Sequence, residues 1–263
     1  MPLNHQSPGR KAIKTAGQTM QLNKFLALCG FASRRKANQF IAEKRVKVNG
    51  HFIDHFGFVV NPQKDRIEVD NKVVRLPQRQ VYILLNKPGG VITTADDPRG
   101  RRTVLDLVPV RERIFPVGRL DLDTEGVLLL TNDGYLTHRL AHPKFEIEKV
   151  YQTRVKGQMD QNAVSKLRSG VFIGPGVRVN GEVQIIKKER DQTLIEIRIH
   201  EGKKRQIKRM MKAVGHPVIH LRRTCFAGLT AQGLAKGDWR ELKEKEIRSL
   251  YRAAGLKWMN SQQ

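Results

Sequence analysis

The apolar residues of this chain are grouped in runs no longer than a strand, and this limits the folds that it can adopt. Runs such as Val127 to Leu130 fall far short of the roughly 20 residues that a membrane span requires. Residues 194–199 largely alternate apolar and charged side chains, which is typical of a half-buried strand. Five segments are therefore predicted to be strands: VYILL, VLLLT, VYQTRVKG, VQIIKK and LIEIRIH.

Helical spacing appears between and after these strands. The segment KKRQIKRMMKAVG, residues 203–215, repeats apolar side chains at i, i+3, i+4 and i+7 and ends on Gly215, which predicts an amphipathic helix with a glycine stop. The sequence predicts an α+β fold: a larger domain with a mixed, mainly antiparallel sheet and flanking helices, preceded by a smaller module.

The smaller module is predicted from residues 20–53. Leu22, Phe25, Leu26 and Cys29 have helical spacing, and Gly30 ends that helix. Ser33 is placed to cap a second helix, RRKANQFIAEK. The segment VKVNGHFI then alternates around Asn49-Gly50, a strong hairpin signal. The result is a basic helix-helix-hairpin unit.

Composition divides the chain into four segments. Residues 1–19 contain few apolar side chains, too few to offset the entropy lost on ordering, so a disordered basic tail is predicted there. The polar segment RLPQRQ, residues 75–80, indicates a linker. We expect the module at 20–75, the larger domain at 80–252 and a C-terminal tail at 253–263.

The net charge of +24, from 49 Lys and Arg against 25 Asp and Glu, favours nucleic acid as the partner, over membrane or acidic protein. Two cysteines, Cys29 and Cys225, cannot supply the four ligands of the usual zinc site, so no metal is expected. The first 20 residues lack the apolar core of a secretory signal. A cytoplasmic protein with reduced thiols is predicted.

The segment PVGRLDLDTEGVLLLTNDG, residues 116–134, crowds three carboxylates into a turn: Asp121, Asp123 and Glu125. One interpretation is a charged surface turn, because Gly, Asp and Thr are common in turns. A second is a calcium loop, because the three acids and Gly126 have the EF-hand spacing. That loop requires a bidentate Glu at its twelfth position, where this chain has Asn132.

The third interpretation is an active-site carboxylate. Gly118 permits the close approach of a ligand, and Arg119 can meet phosphate or fill a gap in a stacked nucleic-acid helix. Asp121 would then face a pocket whose apolar wall is the run Val127 to Leu130. The sequence alone leaves these interpretations open, and the choice depends on what else converges on the turn.

Two other segments can converge there. Tyr151 stands at the head of a predicted strand, either as core packing or as an aromatic plate against a base. Lys204, Lys208 and Lys212 fall at i, i+4 and i+8 on one helical stripe. Like charges at this spacing repel one another, so RNA phosphate or a buried carboxylate would relieve them.

Four blocks in this order resemble the pseudouridine synthases that act on ribosomal RNA, and most closely the large-subunit enzymes: NKPGGVITT (86–94), FPVGRLDLDTEGVLLLTND (115–133), EKVYQTRVKG (148–157) and EGKKRQIKRMMKAVGH (201–216). The segment SRRKANQFIAEKRVKVNG similarly resembles the S-four-type RNA-binding module that these enzymes share with a ribosomal small-subunit protein. Together the matches span almost all of residues 22–250.

The resemblance implies a reaction without a cofactor, in which a uridine is detached from its ribose, rotated and rejoined through carbon 5. It implies that Asp121 is the catalytic carboxylate, as a nucleophile or a general base. Tyr151 is expected to stack on the uracil and to help remove the final proton. Lys208 is expected to contact Asp121 as a point charge, which stabilises the charged carboxylate.

Arg119 is expected to occupy the place of the target base when that base leaves its stack. Further RNA-binding residues are predicted from the charge pattern and the resemblance: Arg34, Arg35, Lys36, Lys44, Arg45, Lys87, Arg205 and Arg209. The partner would be ribosomal RNA or a pre-ribosomal particle, bound by a monomer that does not contact membrane. One departure from the family pattern is Asn23, where many relatives carry an acid.

Three alternatives remain at this level. The chain could catalyse the same reaction on 16S instead of 23S ribosomal RNA. It could be a ribosome assembly factor that binds RNA without catalysis, which would not need Asp121, Tyr151 and Lys208 together. It could be a DNA-binding regulator whose two short N-terminal helices mimic a helix-turn-helix, although the hairpin that follows them argues against this.

Overall fold

The structure, a computed structural model, describes residues 19–77, 79–95 and 97–258. The predicted basic tail, except for its last residue, lies outside the described residues. The N-terminal module comprises the following elements: β1 (Met20–Gln21), α1 (Leu22–Leu28), α2 (Arg34–Ala42), β2 (Val46–Val48), β3 (His51–Ile53), β4 (Val59–Val60), β5 (Ile67–Val69) and β6 (Lys72–Val73).

Local signals set the boundaries of the module's helices and hairpin. The Ser33 hydroxyl accepts a hydrogen bond from the Lys36 amide at 3.2 Å and caps α2. Strands β2 and β3 pair in an antiparallel hairpin, and both residues of its turn, Asn49 and Gly50, have positive φ, as a type I′ turn requires. The predicted helix-helix-hairpin unit is confirmed, and β5 and β6 extend its sheet in the order β3-β2-β5-β6.

The larger domain follows the module. Its elements are β7 (Tyr82–Lys87), β8 (Phe115–Pro116), β9 (Glu125–Thr131), α3 (Gly134–Ala141), a 3-10 turn (Pro143–Phe145), β10 (Lys149–Lys156), α4 (Gln161–Ser169), β11 (Val171–Phe172), β12 (Arg178–Val179), β13 (Glu182–Lys188), β14 (Gln192–Ile199), α5 (Gln206–Ala213), β15 (Val218–Phe226), β16 (Leu229–Thr230), β17 (Trp239–Glu241) and α6 (Glu244–Ala253).

One sheet organises this domain, with the strand order β13-β14-β10-β15-β9-β7-β17 and with β8 and β16 paired at its margins. Its pairs are antiparallel except for a short parallel contact between β15 and β9. At that contact a Cβ on Gly126 would lie 2.1 Å from the Arg223 carbonyl oxygen, so only glycine fits. The predicted α+β class with a mainly antiparallel sheet is confirmed.

Helices cover both faces of the sheet. On one face Ile83, Leu85 and Leu128 pack with α4 and α5. On the other face Leu84 and Leu129 pack with α3 and α6. Strands β7 and β9 are thus buried on both sides, which explains why their sequences are continuous apolar runs and do not alternate.

The module packs against the larger domain. Arg113 Nη1 donates a hydrogen bond to the Ala32 carbonyl oxygen at 2.9 Å. A Cβ on Gly134 would lie 3.0 Å from a Leu28 methyl group, so α1 contacts the start of α3 closely. Partial loss of solvent around the Arg113 guanidinium group at this contact lowers its pKa.

Two predicted boundaries are wrong. Helix α5 begins at Gln206 and not at residue 203, because Arg205 takes a left-handed conformation with φ of +51°. The predicted C-terminal tail starts inside α6: Ala254 is buried, and Trp258 packs edge-on against Tyr251. In the part of the chain that is described, no helix has both the length and the apolar character to span a bilayer.

Candidate active site

A cleft of about 510 Å³ opens between the turn before β9, the start of β10 and the start of α5. Asp121, Tyr151 and Lys208 all line it. Another hollow of about 600 Å³ lies near the C-terminus between Arg248, Arg252 and the residues around Trp258, with no carboxylate in its lining. The three residues singled out from three separate sequence blocks are therefore brought into one cavity.

The apolar wall of the cleft differs from the expected one. Val127 to Leu130 were expected to form it, but they are buried within the sheet and do not line the cavity. The wall consists of side chains from several elements: Ile92, Val117, Leu120, Leu140, Ile207, Leu221 and Phe226. The continuous apolar run Val127 to Leu130 therefore belongs to the buried centre of the sheet and not to the surface of the site.

Lys87 fixes the loop that carries Asp121. The three N–H groups of its ammonium face four carbonyl oxygens within hydrogen-bonding distance: those of Pro88 (3.0 Å), Asp121 (3.2 Å), Leu122 (3.3 Å) and Thr124 (2.8 Å). The residue is fully buried, and this burial lowers its pKa to about 8, although the charges of Asp123, Glu125 and Asp121 act in the opposite direction. The prediction that Lys87 binds RNA is wrong, because Lys87 does not line the cleft and its ammonium group is occupied by these carbonyl oxygens.

Lys208 lies between two carboxylates. Its Nζ atom is 4.0 Å from Asp121 Oδ2, and it is 2.5 Å from both carboxylate oxygens of Asp123. The hydrogen bond from Lys208 lowers the pKa of Asp123. The expected proximity of Lys208 and Asp121 is present, but the direct hydrogen bonds go to Asp123.

Asp123 is a site residue that the sequence interpretation did not assign. A usable signal was its position two residues after Asp121 in the same tight turn, in which the Thr124 amide donates to the Asp121 carbonyl oxygen at 3.1 Å. The turn brings both carboxylates within reach of one lysine. The Asp121 side chain remains about one-third exposed, so a substrate atom can approach it.

Tyr151 is both a core residue and a cleft residue. It lies on β10, opposite Ile197 of β14 and Arg223 of β15, and only 8% of its surface is exposed. Within the described residues its hydroxyl group has no hydrogen-bond partner. A tyrosine placed only for packing usually satisfies its hydroxyl, so this position leaves the group available to a ligand.

The third acid of the turn, Glu125, is also paired with cations. It accepts hydrogen bonds from His220 Nε2 and Lys236 Nζ, both at 3.0 Å. Burial acts to raise the pKa of Glu125, but the hydrogen bonds from Lys236 and His220 lower it overall. Among the residues that the structure describes, no group of three potential metal ligands occurs, so the calcium-loop interpretation gains no support.

The predicted RNA-binding residues fall into three groups. Arg119 and Arg205 are exposed at the mouth of the cleft. Arg209 is exposed next to them, and its guanidinium group packs over Gly174. Apart from Lys87, the remaining predicted residues lie on the module: Arg34, Arg35, Lys36, Lys44 and Arg45.

The module's cations are not equally available. Arg34, Arg35 and Lys36 are exposed on the first turn of α2. Arg45 instead forms a two-pronged ion pair with Asp70, at 2.8 and 2.6 Å, and it also contacts Glu43. Its guanidinium carbon lies 4.2 Å from the centre of the Phe40 ring. Arg45 therefore serves the fold of the module.

Comparisons with known proteins identify the class. Residues 81–213 match the family model for RNA pseudouridylate synthase, and residues 20–67 match the S4 domain. The chain belongs to the RNA pseudouridine synthase family, enzymes that isomerise uridine in RNA, and it carries the RNA-binding S4 domain at its N-terminus.

Individual relatives cover nearly the whole chain. An uncharacterized RNA pseudouridine synthase of Aquifex aeolicus is 43% identical over 242 residues, which is 91% of this chain and 97% of the relative. Ribosomal large subunit pseudouridine synthase B of Bacillus subtilis is 43% identical over 234 residues, 88% of this chain and 95% of the relative. A crystal structure of a pseudouridylate synthase, 27% identical, superimposes with a TM-score of 0.65 and covers 88% of this chain and 99% of that structure.

Proposed function

We propose that this enzyme converts a specific uridine of ribosomal RNA to pseudouridine, with 23S RNA of the large subunit as the preferred substrate. The observation that carries the proposal is the convergence of Asp121, Tyr151 and Lys208 on one cleft next to exposed Arg119. The full-length similarity to a relative named for the large ribosomal subunit supports the choice of RNA. We also propose that the enzyme acts as a monomer in the cytoplasm.

The proposed roles follow from the geometry. The isomerisation breaks the bond between N1 and C1′ and forms one between C5 and C1′; the C5 proton is lost and N1 gains a proton. Asp121, partly exposed on a loop that Lys87 holds rigid, acts on the nucleoside as a nucleophile or base. Lys208, at 4.0 Å, stabilises its negative charge through space. Asp123 is a positioning residue, because it holds the lysine in place.

The uridine must leave its helix to reach Asp121, since a glycosidic bond within a stack is inaccessible. The Tyr151 ring offers a stacking surface, and its unpaired hydroxyl group offers a proton acceptor for the last step. Arg119 at the mouth of the cleft takes the place of the departed base. Exposed Arg34, Arg35 and Lys36 bind phosphate at a distance from the chemistry.

The test compares pseudouridine maps of ribosomal RNA from cells that lack the gene and contain either the wild-type protein, Asp121→Asn or Asp191→Asn. We expect one 23S position to lose its pseudouridine in cells with Asp121→Asn. The purified variant should form pseudouridine about 100- to 10,000-fold more slowly than the wild type, while its RNA affinity is unchanged. Asp191 is exposed on the turn between β13 and β14, so its variant is the matched control.

Each other outcome contradicts part of the proposal. If pseudouridine is lost only at a 16S position, the substrate is the RNA of the small subunit. An unchanged map with impaired ribosome assembly would favour a non-catalytic assembly factor. A complex larger than one chain, measured by light scattering at micromolar concentration, would exclude the monomer.

A further inference from the structure

A buried arginine at one end of the cleft has no anionic partner among the described residues. Arg223 lies on β15 and lines the cleft, yet only 2% of its surface is exposed. Its Nε donates to the Val127 carbonyl oxygen at 2.8 Å, and its guanidinium carbon lies 4.6 Å from the centre of the Phe226 ring. Its Nη2 atom is buried without a hydrogen-bond partner. Buried charged groups in folded proteins are normally paired.

A second cation stands beside it. Lys149 lies two residues before Tyr151 on β10, and Tyr151 is directly opposite Arg223. The Lys149 ammonium group donates only to two carbonyl oxygens, of Ile147 at 2.6 Å and His200 at 3.3 Å. Burial and, to a smaller extent, the charge of Arg223 lower the pKa of Lys149 to about 8, against the opposing influence of Glu201. The two charges therefore repel each other.

Another lysine of the cleft, Lys208, is balanced in a different way. Lys208 meets two carboxylates, whereas no carboxylate forms an ion pair with Lys149 or Arg223 among the residues that the structure describes. An unbalanced pair of cations in an apolar surrounding is unfavourable unless an anion joins it. Phe226 and Leu140, which line the cleft nearby, reduce the competition from water.

We infer that Lys149 and Arg223 form a receptor for a backbone phosphate next to the target nucleotide. This inference rests on the proposed function, because a uridine that swings into the cleft carries its flanking phosphates with it. A planar guanidinium group and an ammonium group together match the oxygens of one phosphate. A neutral uracil carbonyl would satisfy hydrogen bonds but would not offset the two charges.

The first experiment uses the wild-type protein and short RNAs that contain the mapped target, each with one methylphosphonate, a neutral linkage, in place of a phosphate. We expect one linkage adjacent to the target uridine to lower kcat/KM about 10- to 100-fold and linkages further away to change it less than about threefold. If every neutral linkage lowers kcat/KM equally, or none lowers it, the proposed phosphate receptor is overturned.

The second experiment combines this RNA with variants. Lys149→Gln should lower kcat/KM on natural RNA about 10- to 100-fold but add little on the RNA with the sensitive linkage neutralised, because both changes remove the same contact. Lys149→Arg should restore most of the activity. Losses that multiply would show that the cations meet something else, such as the base, and would overturn the inference. Arg223→Gln is tested in the same way if it folds; Lys149→Gln decides the outcome alone.

The third experiment needs no catalysis. Inorganic phosphate should raise the Tm of the free wild-type protein more than chloride at equal ionic strength, and Lys149→Gln should abolish that difference. Lys188 is an exposed lysine of β13. Lys188→Gln removes the same charge as Lys149→Gln but should retain the difference in Tm between phosphate and chloride. If no pseudouridine forms, the proposed function fails while this arm still tests the anion site. Phosphate binding without a sensitive RNA linkage would overturn the assignment to RNA.

Discussion

The N-terminal module and the catalytic cleft are both positively charged, but they hold their charges differently. On the module, Arg34, Arg35 and Lys36 are exposed to solvent on one helical turn. Around the cleft, Lys87 beneath the Asp121 loop and Arg223 in the cleft lining are buried and held by carbonyl oxygens. A solvated cation can exchange among phosphates and is screened by salt, whereas a buried cation is fixed and its removal leaves acceptors unpaired. A high charge count therefore does not show which cations bind RNA.

The strongest contrast is expected from matched lysine substitutions in the two regions. Lys87→Met should lower the free energy of unfolding by about 2–4 kcal/mol, because one buried and three partly buried carbonyl oxygens lose their donor. Lys64→Met, on the exposed surface of the module, should change it by less than about 0.5 kcal/mol. Urea titrations of both variants measure the difference, and equal effects would remove the contrast.

The lowered pKa of Lys87 also predicts how its contribution to stability changes with pH. Its folded pKa of about 8 lies below the ordinary value of 10.5, so the unfolded chain binds the proton more readily. Its contribution to the free energy of unfolding therefore rises as pH increases through that window. The stability gap between the wild type and Lys87→Met should widen above pH 8, and a gap that narrows would contradict the burial of a charged amine.

The next largest effect concerns RNA affinity. Changing Arg34, Arg35 and Lys36 together to Gln should lower the slope of log K against log salt by about 2, at roughly 0.7 per phosphate contact. The rate at saturating RNA should stay the same, because the chemistry lies in the cleft. Filter binding across a salt series tests this. An unchanged slope would show that the module does not use this turn.

A smaller effect separates cations within the module. Arg45→Gln should leave the salt slope nearly unchanged, because Asp70 and Glu43 already engage its guanidinium group. It should lower the free energy of unfolding only slightly, since solvent screens this exposed ion pair. A slope change as large as one full phosphate contact would mean that RNA displaces the two carboxylates.

The smallest effect is expected at the edge of the cleft. The Lys208 hydrogen bond lowers the pKa of Asp123 below its ordinary value of 3.8, so its contribution to stability is present above that pH and is lost as pH falls below it. Because 70% of the Asp123 side chain is exposed, Asp123→Asn should cost well under 1 kcal/mol at pH 7. Unfolding curves of the wild type and Asp123→Asn, measured at pH 7 and at pH 3, should differ less at pH 3.

Local signals in the sequence were sufficient for much of the fold. The cap at Ser33, the turn at Asn49-Gly50 and the strand runs each depend on a few neighbouring residues, and each appears where it was predicted. The start of α5 was missed because a left-handed Arg205 is not visible in an amphipathic pattern. The order of strands, and hence the meeting of β9, β10 and β15, depends on contacts far apart in the chain.

The sequence determined the family, the two-part organisation and the convergence of Asp121, Tyr151 and Lys208, because the residue types and their spacing carry that information. Only the tertiary structure decided what each cation does. It buried Lys87 under the loop of Asp121, placed Lys208 on Asp123 and, among the described residues, left Arg223 without an anionic partner. The reason is physical: the role of a charge depends on its burial and on the acceptors within about 3 Å, and distant segments of the chain supply both.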